Sequence, residues 1–85
     1  MAQITVYTAE PCSFCTRVKQ LLQSRGYEYS EINLARDPEG RNALVTLTGM
    51  MSFPQVIVGD ELVGGFDQTL AADQSGRLRT LVETA

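Results

Sequence analysis

The sequence predicts an α/β fold: a four-stranded mixed β-sheet flanked by helices, in the order β-α-β-α-β-β-α. Three observations carry that prediction. Residues 3–8 and 27–32 each alternate apolar and polar side chains and bracket a stretch with helical spacing, the mark of a βαβ unit. An apolar run at 54–58 meets residues 61–63 across Gly59-Asp60, a two-residue hairpin signal. The 85 residues, 44% apolar and 20% charged, fit one globular domain spanning 1–85 and argue against disorder.

Each element has a local cause. Ile4, Thr5 and Val6 make the first strand rich in β-branched residues. After the connector Ala9-Glu10-Pro11, the residues Phe14, Val18, Leu21, Leu22 and Arg25 recur at helical spacing, and Gly26 supplies the stop. The alternating run from Tyr27 to Ile32 follows as a second strand, parallel to the first through a right-handed crossover. Asp37, Pro38 and Glu39 then read as an N-cap, a proline at the first helical position and an acid in the first turn. That helix carries Ala43, Leu44 and Leu47 on one face and ends at Thr48-Gly49. After the hairpin, Gly64-Gly65 breaks the chain, and Phe66 or Asp67 opens a helix through Leu70, Ala71 and Ala72. Ser75-Gly76 interrupts it before the last apolar stripe of Leu78, Leu81 and Val82, and Thr84-Ala85 is expected to fray.

Composition excludes several functions. Seven Lys and Arg against ten Asp and Glu give a net charge of −3, which argues against broad binding to nucleic acid or an anionic membrane, since that needs a basic face. With no histidine, His-based catalytic dyads and triads and His-ligated zinc are excluded. No apolar run nears the roughly 20 residues of a membrane span. Met1-Ala2-Gln3 passes straight into the first strand without the regions of a signal peptide, so a cytoplasmic protein is expected.

The only cysteines, Cys12 and Cys15, are spaced C-x-x-C. One bridge closing so short a loop staples almost nothing, and two thiolates alone cannot complete a zinc site. Two core cysteines at this spacing by accident are the bland alternative, disfavoured by Pro11 and Ser13, which suggest a helix start. The remaining reading is interconversion of dithiol and disulfide, more specific here because the motif follows a strand and opens a helix. At a helix N-terminus, unpaired N–H groups of Phe14 and Cys15 favour an anionic Cys12 sulfur. Cys12 is thus the attacking thiolate and leaving group, and Cys15, one turn inside, the resolving thiol. Glu10 opposes that anion, Arg17 and Lys19 offer to offset it, and ordinary surface charges are the simpler reading of Glu10 and Lys19.

With C-S-F-C at 12–15, S-F-P-Q at 52–55 and G-G-F-D at 64–67, the whole chain resembles a glutaredoxin. The resemblance implies the thioredoxin fold and a glutathione-dependent thiol–disulfide oxidoreductase. It would reduce protein or small-molecule disulfides and glutathionylated thiols. It also implies a cis bond before Pro54, an extended glutathione pairing with the Phe53 backbone, and a γ-glutamyl carboxylate at Phe66 and the following helix start. Asp67 would accept from the glutathione ammonium, or else cap the helix. Arg41 would meet the glycyl carboxylate, or else be a solvated helix residue, and Phe14 replaces the usual tyrosine of the site.

Departures from the family pattern keep rivals open. The common C-P-Y-C is C-S-F-C here, Ala9 stands where many relatives have lysine, and Met50-Met51-Ser52 replaces a more polar segment. The methionines either form a docking patch or cover the core edge. One rival is a redoxin fed by a thioredoxin-type reductase and serving ribonucleotide reductase. The other is a dimer holding a 2Fe-2S cluster through Cys12 and glutathione, with Ser13 in its favour. The first reading has glutathione as co-substrate, no tightly bound cofactor, no metal, and a monomer acting on disulfide or glutathionylated proteins.

Overall fold

The first strand, β1 (Ile4–Thr8), turns Ile4, Val6 and Thr8 inward and leaves Thr5 and Tyr7 half-buried, as its alternation dictates. It sits inside the sheet because both its edges are paired. Strand β2 (Tyr29–Asn33) runs parallel to it, and β3 (Gln55–Val58) antiparallel. Strand β4 (Glu61–Gly64) closes the hairpin with β3, giving the order β2-β1-β3-β4. The computed structural model describes residues 2–83, and the fraying expected at Thr84 and Ala85 lies outside them.

Helices cover both faces. Helix α1 (Ser13–Ser24), α3 (Phe66–Ser75) and α4 (Arg77–Glu83) contribute Val18, Leu22, Ala72, Leu78 and Val82 to one core with Ile4, Val6, Val56, Val58 and Val63. Helix α2 (Pro38–Thr48) lies over the opposite face, where Leu47 borders a groove with Thr5, Tyr7, Ile57 and Leu62. This is the mixed four-stranded sheet of the sequence reading.

Three details differ from that reading. The second strand starts at Tyr29 because the α1 C-terminus takes the chain before it: Gly26 N–H donates to Gln23 O and Tyr27 N–H to Leu22 O, both at 3.0 Å. As an outer strand, β2 leaves four of its five residues exposed, so its alternation does not translate into burial. The one last helix of the element order is two, split at the expected Ser75-Gly76 interruption, where Gly76 takes a left-handed φ of 84° that ends α3. Helix α2 is capped as expected, with Asp37 Oδ1 accepting from Gly40 N–H at 2.9 Å and Gly49 at its C-terminus. Of its apolar face only Leu44 is fully buried, while Leu47 is 67% exposed.

That contrast sets a stability prediction. Leu22→Ala, at a fully buried site, is expected to cost about 2–5 kcal/mol through lost contacts and a residual cavity. Leu47→Ala stays within about 0.5 kcal/mol. Urea unfolding checks both: the midpoint falls for the first at an unchanged slope and barely moves for the second.

Candidate active site

Two pairings bring the chemistry to one end of the sheet. Tyr7 lies opposite Gln55, so the chain leaving β1 toward Cys12 passes beside the Phe53-Pro54 segment entering β3. Val56 pairs with Gly64 while Ile57 pairs with Leu62, which leaves Val63 as the extra residue of a β-bulge. The bulge sends Gly64 and Gly65 toward Pro54. Gly64 has φ 118°, and a side chain on Gly65 would crowd Gln68 Oε1 at 3.1 Å and rest against the Pro54 carbonyl at 3.5 Å. Glycine is required at 64 by its conformation, and at 65 a side chain would need Gln68 to give way. The Phe53-Pro54 bond is cis, and so is Glu10-Pro11.

Cys12 is the N-cap of α1, with extended φ and ψ of −153° and 114°. Its sulfur takes the place of a capping oxygen and accepts from Cys15 N–H at 3.2 Å. Of the two donors expected, Cys15 makes this bond and Phe14 does not. The sulfur lies 3.9 Å from the Phe53 carbonyl oxygen, a long contact that marks it as facing that backbone. Cys12 N–H donates to Glu10 Oε2 at 3.0 Å.

Cys15 is fully buried. Burial pushes its thiol from an ordinary value of 9.0 up to about 12, helped by its hydrogen bond with Cys12 and the negative charge of Glu10. The two sulfurs therefore differ in kind: one partly open and capped by an N–H, the other closed off and held protonated.

Beside Cys12 a shallow cleft of about 170 Å³ is lined by Phe14, Ser52, Phe53 and Pro54 on one side and by Gly65 to Gln68 on the other. The Phe14 and Phe66 rings stand 6.0 Å apart at 31°, and the Arg17 guanidinium lies 5.5 Å over the Phe14 ring. Asp67 is exposed in the first turn of α3, whose N-cap is Gly65, so it is not the capping residue. Arg41 does not line the cleft: its Nη1 donates to the carbonyls of Leu34 at 2.6 Å and Ala35 at 2.9 Å, holding the turn after β2. Met51 is 83% exposed, which places it outside the core edge. Gln68 escaped the sequence reading. Its Oε1 accepts from Gly65 N–H at 3.0 Å, and its place three residues after the N-cap was the available signal.

A family model described as Glutaredoxin matches residues 4–63. The chain belongs to the glutaredoxin family. It is 37% identical over 82 residues to a glutaredoxin of Pseudomonas aeruginosa, covering 96% of this chain and 98% of that one. The solution structure of glutaredoxin from Brucella melitensis superposes with a TM-score of 0.88 at 36% identity, over 99% of this chain and 91% of that chain. A buckwheat glutaredoxin–glutathione complex superposes with a TM-score of 0.87 at 28% identity, over 95% of this chain and 76% of that chain. Family and fold together make this glutaredoxin a thiol–disulfide oxidoreductase with the thioredoxin fold. Among the described residues, no group of three or more His, Cys, Asp or Glu is placed to hold a metal ion, and no helix is long and apolar enough to cross a membrane.

The Cys15 environment predicts how the reduced fold responds to alkali. Above the ordinary thiol value of 9.0 the unfolded chain loses the Cys15 proton while the native state keeps it up to about 12. The native state then binds more protons, so stability falls as pH rises across that window. Denaturant midpoints of the reduced protein should drop there, and Cys15→Ala should flatten the drop relative to wild type. Equal slopes in both proteins would show that Cys15 ionises normally.

Proposed function

We propose that this glutaredoxin is a glutathione-dependent oxidoreductase in which Cys12 is the nucleophile and Cys15 the resolving thiol. The observation that carries the reading is a helix-capping sulfur 3.9 Å from the Phe53 carbonyl, on a segment that lines one cleft with the N-terminus of α3. An extended tripeptide disulfide-bonded to Cys12 finds a backbone edge at Phe53. Its γ-glutamyl carboxylate finds the first-turn N–H groups of α3, which have no helical carbonyl to meet. Asp67 accepts from its ammonium group, and the Phe14 and Phe66 rings wall the cleft.

The steps follow from the asymmetry of the two sulfurs. The Cys12 thiolate attacks the glutathione sulfur of a glutathionylated target. The target's S–S bond breaks, its thiolate leaves and takes a proton from water, and glutathione is left bonded to Cys12. A second glutathione thiolate then attacks the bound glutathione sulfur, releasing glutathione disulfide and the Cys12 thiolate. With a protein disulfide, Cys12 forms a mixed disulfide with the target. Cys15 then gives up its proton and attacks the Cys12 sulfur, closing Cys12–Cys15 as the target's second thiolate departs. Two glutathiones reopen that bridge. Arg41, whose Nη1 is tied to Leu34 and Ala35, offers its Nη2 and Nε to the glycyl carboxylate.

The test is NADPH consumption with a glutathionylated substrate, using glutathione and glutathione reductase in one arm and thioredoxin reductase alone in the other. Turnover should need glutathione, vanish in Cys12→Ser and survive in Cys15→Ser. Turnover supported only by thioredoxin reductase, and lost in both variants, would sink the glutathione site. Asp67→Ala should raise KM for glutathione about tenfold, the loss of one charge-assisted hydrogen bond, with little change in kcat. An unchanged KM would remove Asp67 from the ammonium site.

A further inference from the structure

One charged pair beside the nucleophile loop has no part in the steps above. Glu10 uses both carboxylate oxygens: Oε2 accepts from Cys12 N–H at 3.0 Å, and Oε1 accepts from Lys19 Nζ at 2.7 Å. Lys19 reaches on to the two oxygens of Glu31 at 3.2 and 3.3 Å, and Thr8 Oγ1 donates to Glu31 Oε2 at 2.9 Å. Glu10 N–H is itself held by Asn33 Oδ1 at 3.3 Å. The loop before Cys12 is thus tied at once to α1, to β2 and to the end of β1.

Two demands conflict at Glu10. Its carboxylate fixes the backbone of the residue whose sulfur caps α1. A negative charge two residues away also disfavours a second one on that sulfur. Position 9 is alanine and supplies no cation, and the Arg17 guanidinium lies over the Phe14 ring. Lys19 is left as the compensating charge. Its side chain is 21% exposed and that of Glu10 27%, so the pair is less screened than a fully solvated one. The Lys19 hydrogen bond holds the Glu10 carboxyl below its ordinary range, and Glu10 holds the Lys19 ammonium above its own. The charged and titratable groups near Glu10 are Lys19 from α1, Glu31 of β2 through Lys19, and the two thiols Cys12 and Cys15.

We propose that Lys19 is a positioning residue that acts on Cys12 through Glu10: its ammonium neutralises the carboxylate, which can then hold the Cys12 backbone without opposing the sulfur anion. The inference rests on Cys12 being the reactive thiol, and the assay reads that separately.

The experiment is the rate of iodoacetamide alkylation of the reduced protein across the acid-to-neutral range, followed by mass spectrometry. Lys19→Met is expected to slow alkylation at neutral pH by about three- to tenfold and to move the profile toward higher pH. Lys19→Arg, which keeps the charge, restores the wild-type profile. Glu10→Gln keeps an acceptor for Cys12 N–H without the charge and reacts as fast as wild type or faster. The double variant Glu10→Gln/Lys19→Met matches Glu10→Gln, because nothing is left to compensate. Arg25→Met removes the same charge from the distant Asp73 pair and leaves the rate unchanged. The inference is overturned if Lys19→Met is silent, if its slowing persists undiminished in the double variant, or if Arg25→Met slows the reaction equally. Labelling at wild-type speed in Cys12→Ser would instead overturn the assignment of the nucleophile, and the inference with it.

Discussion

The register between β1 and β3 is the constraint on which the rest of the molecule depends. Because the two strands run antiparallel with Tyr7 opposite Gln55, the exit of one and the entrance of the other meet at one sheet end. A one-residue slip would turn Val56 and Val58 out of the core and Ile57 into it, so the hydrophobic pattern itself locks the register. The N-terminus of α1, the Phe53 backbone and, through the β4 bulge, the start of α3 converge as a consequence. The sheet register thereby brings these three separate segments to one end of the molecule.

Within that frame the chemistry is divided by depth along one helical turn. The cap position gives Cys12 a backbone donor and an open side, while the position three residues on is sealed by packing. The same geometry that lets Cys15 N–H support the Cys12 sulfur places the Cys15 side chain where its own ionisation is disfavoured. A single helix start thus makes two chemically different thiols out of one repeated residue.

Much of this was legible in the sequence, for physical reasons that differ by element. The mixed sheet and the order of elements along the chain followed from alternation in β1 and from the Gly59-Asp60 turn, both local signals, whereas the pairing of β1 with β3 did not. The position of Cys12 at the head of α1 followed from the neighbouring proline and the helical spacing after it. What local signals do not carry is which partner a long side chain chooses. Arg41 had the right charge and helix, yet its Nη1 bonds two backbone carbonyls. Of the two cations offered to offset Glu10, it was Lys19, read more simply as a surface charge, that paired with it, while Arg17 lies over the Phe14 ring. Asp67 looked like a cap because its residue type favours one, but the glycine before Phe66 took that place. The bulge in β4 was equally hidden, since only pairing with β3 defines it.

Helix α2 is fastened less firmly than its length suggests. It buries a single side chain, Leu44, whereas α1 buries three. Cooperative opening costs least where the fewest apolar contacts are lost, so α2 belongs to the low-energy end of the native ensemble. Its C-terminal end leads through Met50 and Met51 directly into Phe53. Transient detachment of α2 would therefore slacken the strand of backbone that faces Cys12 while the core under α1 and α3 stays intact. The cleft has one wall rooted in the core and one hung from a loosely held helix.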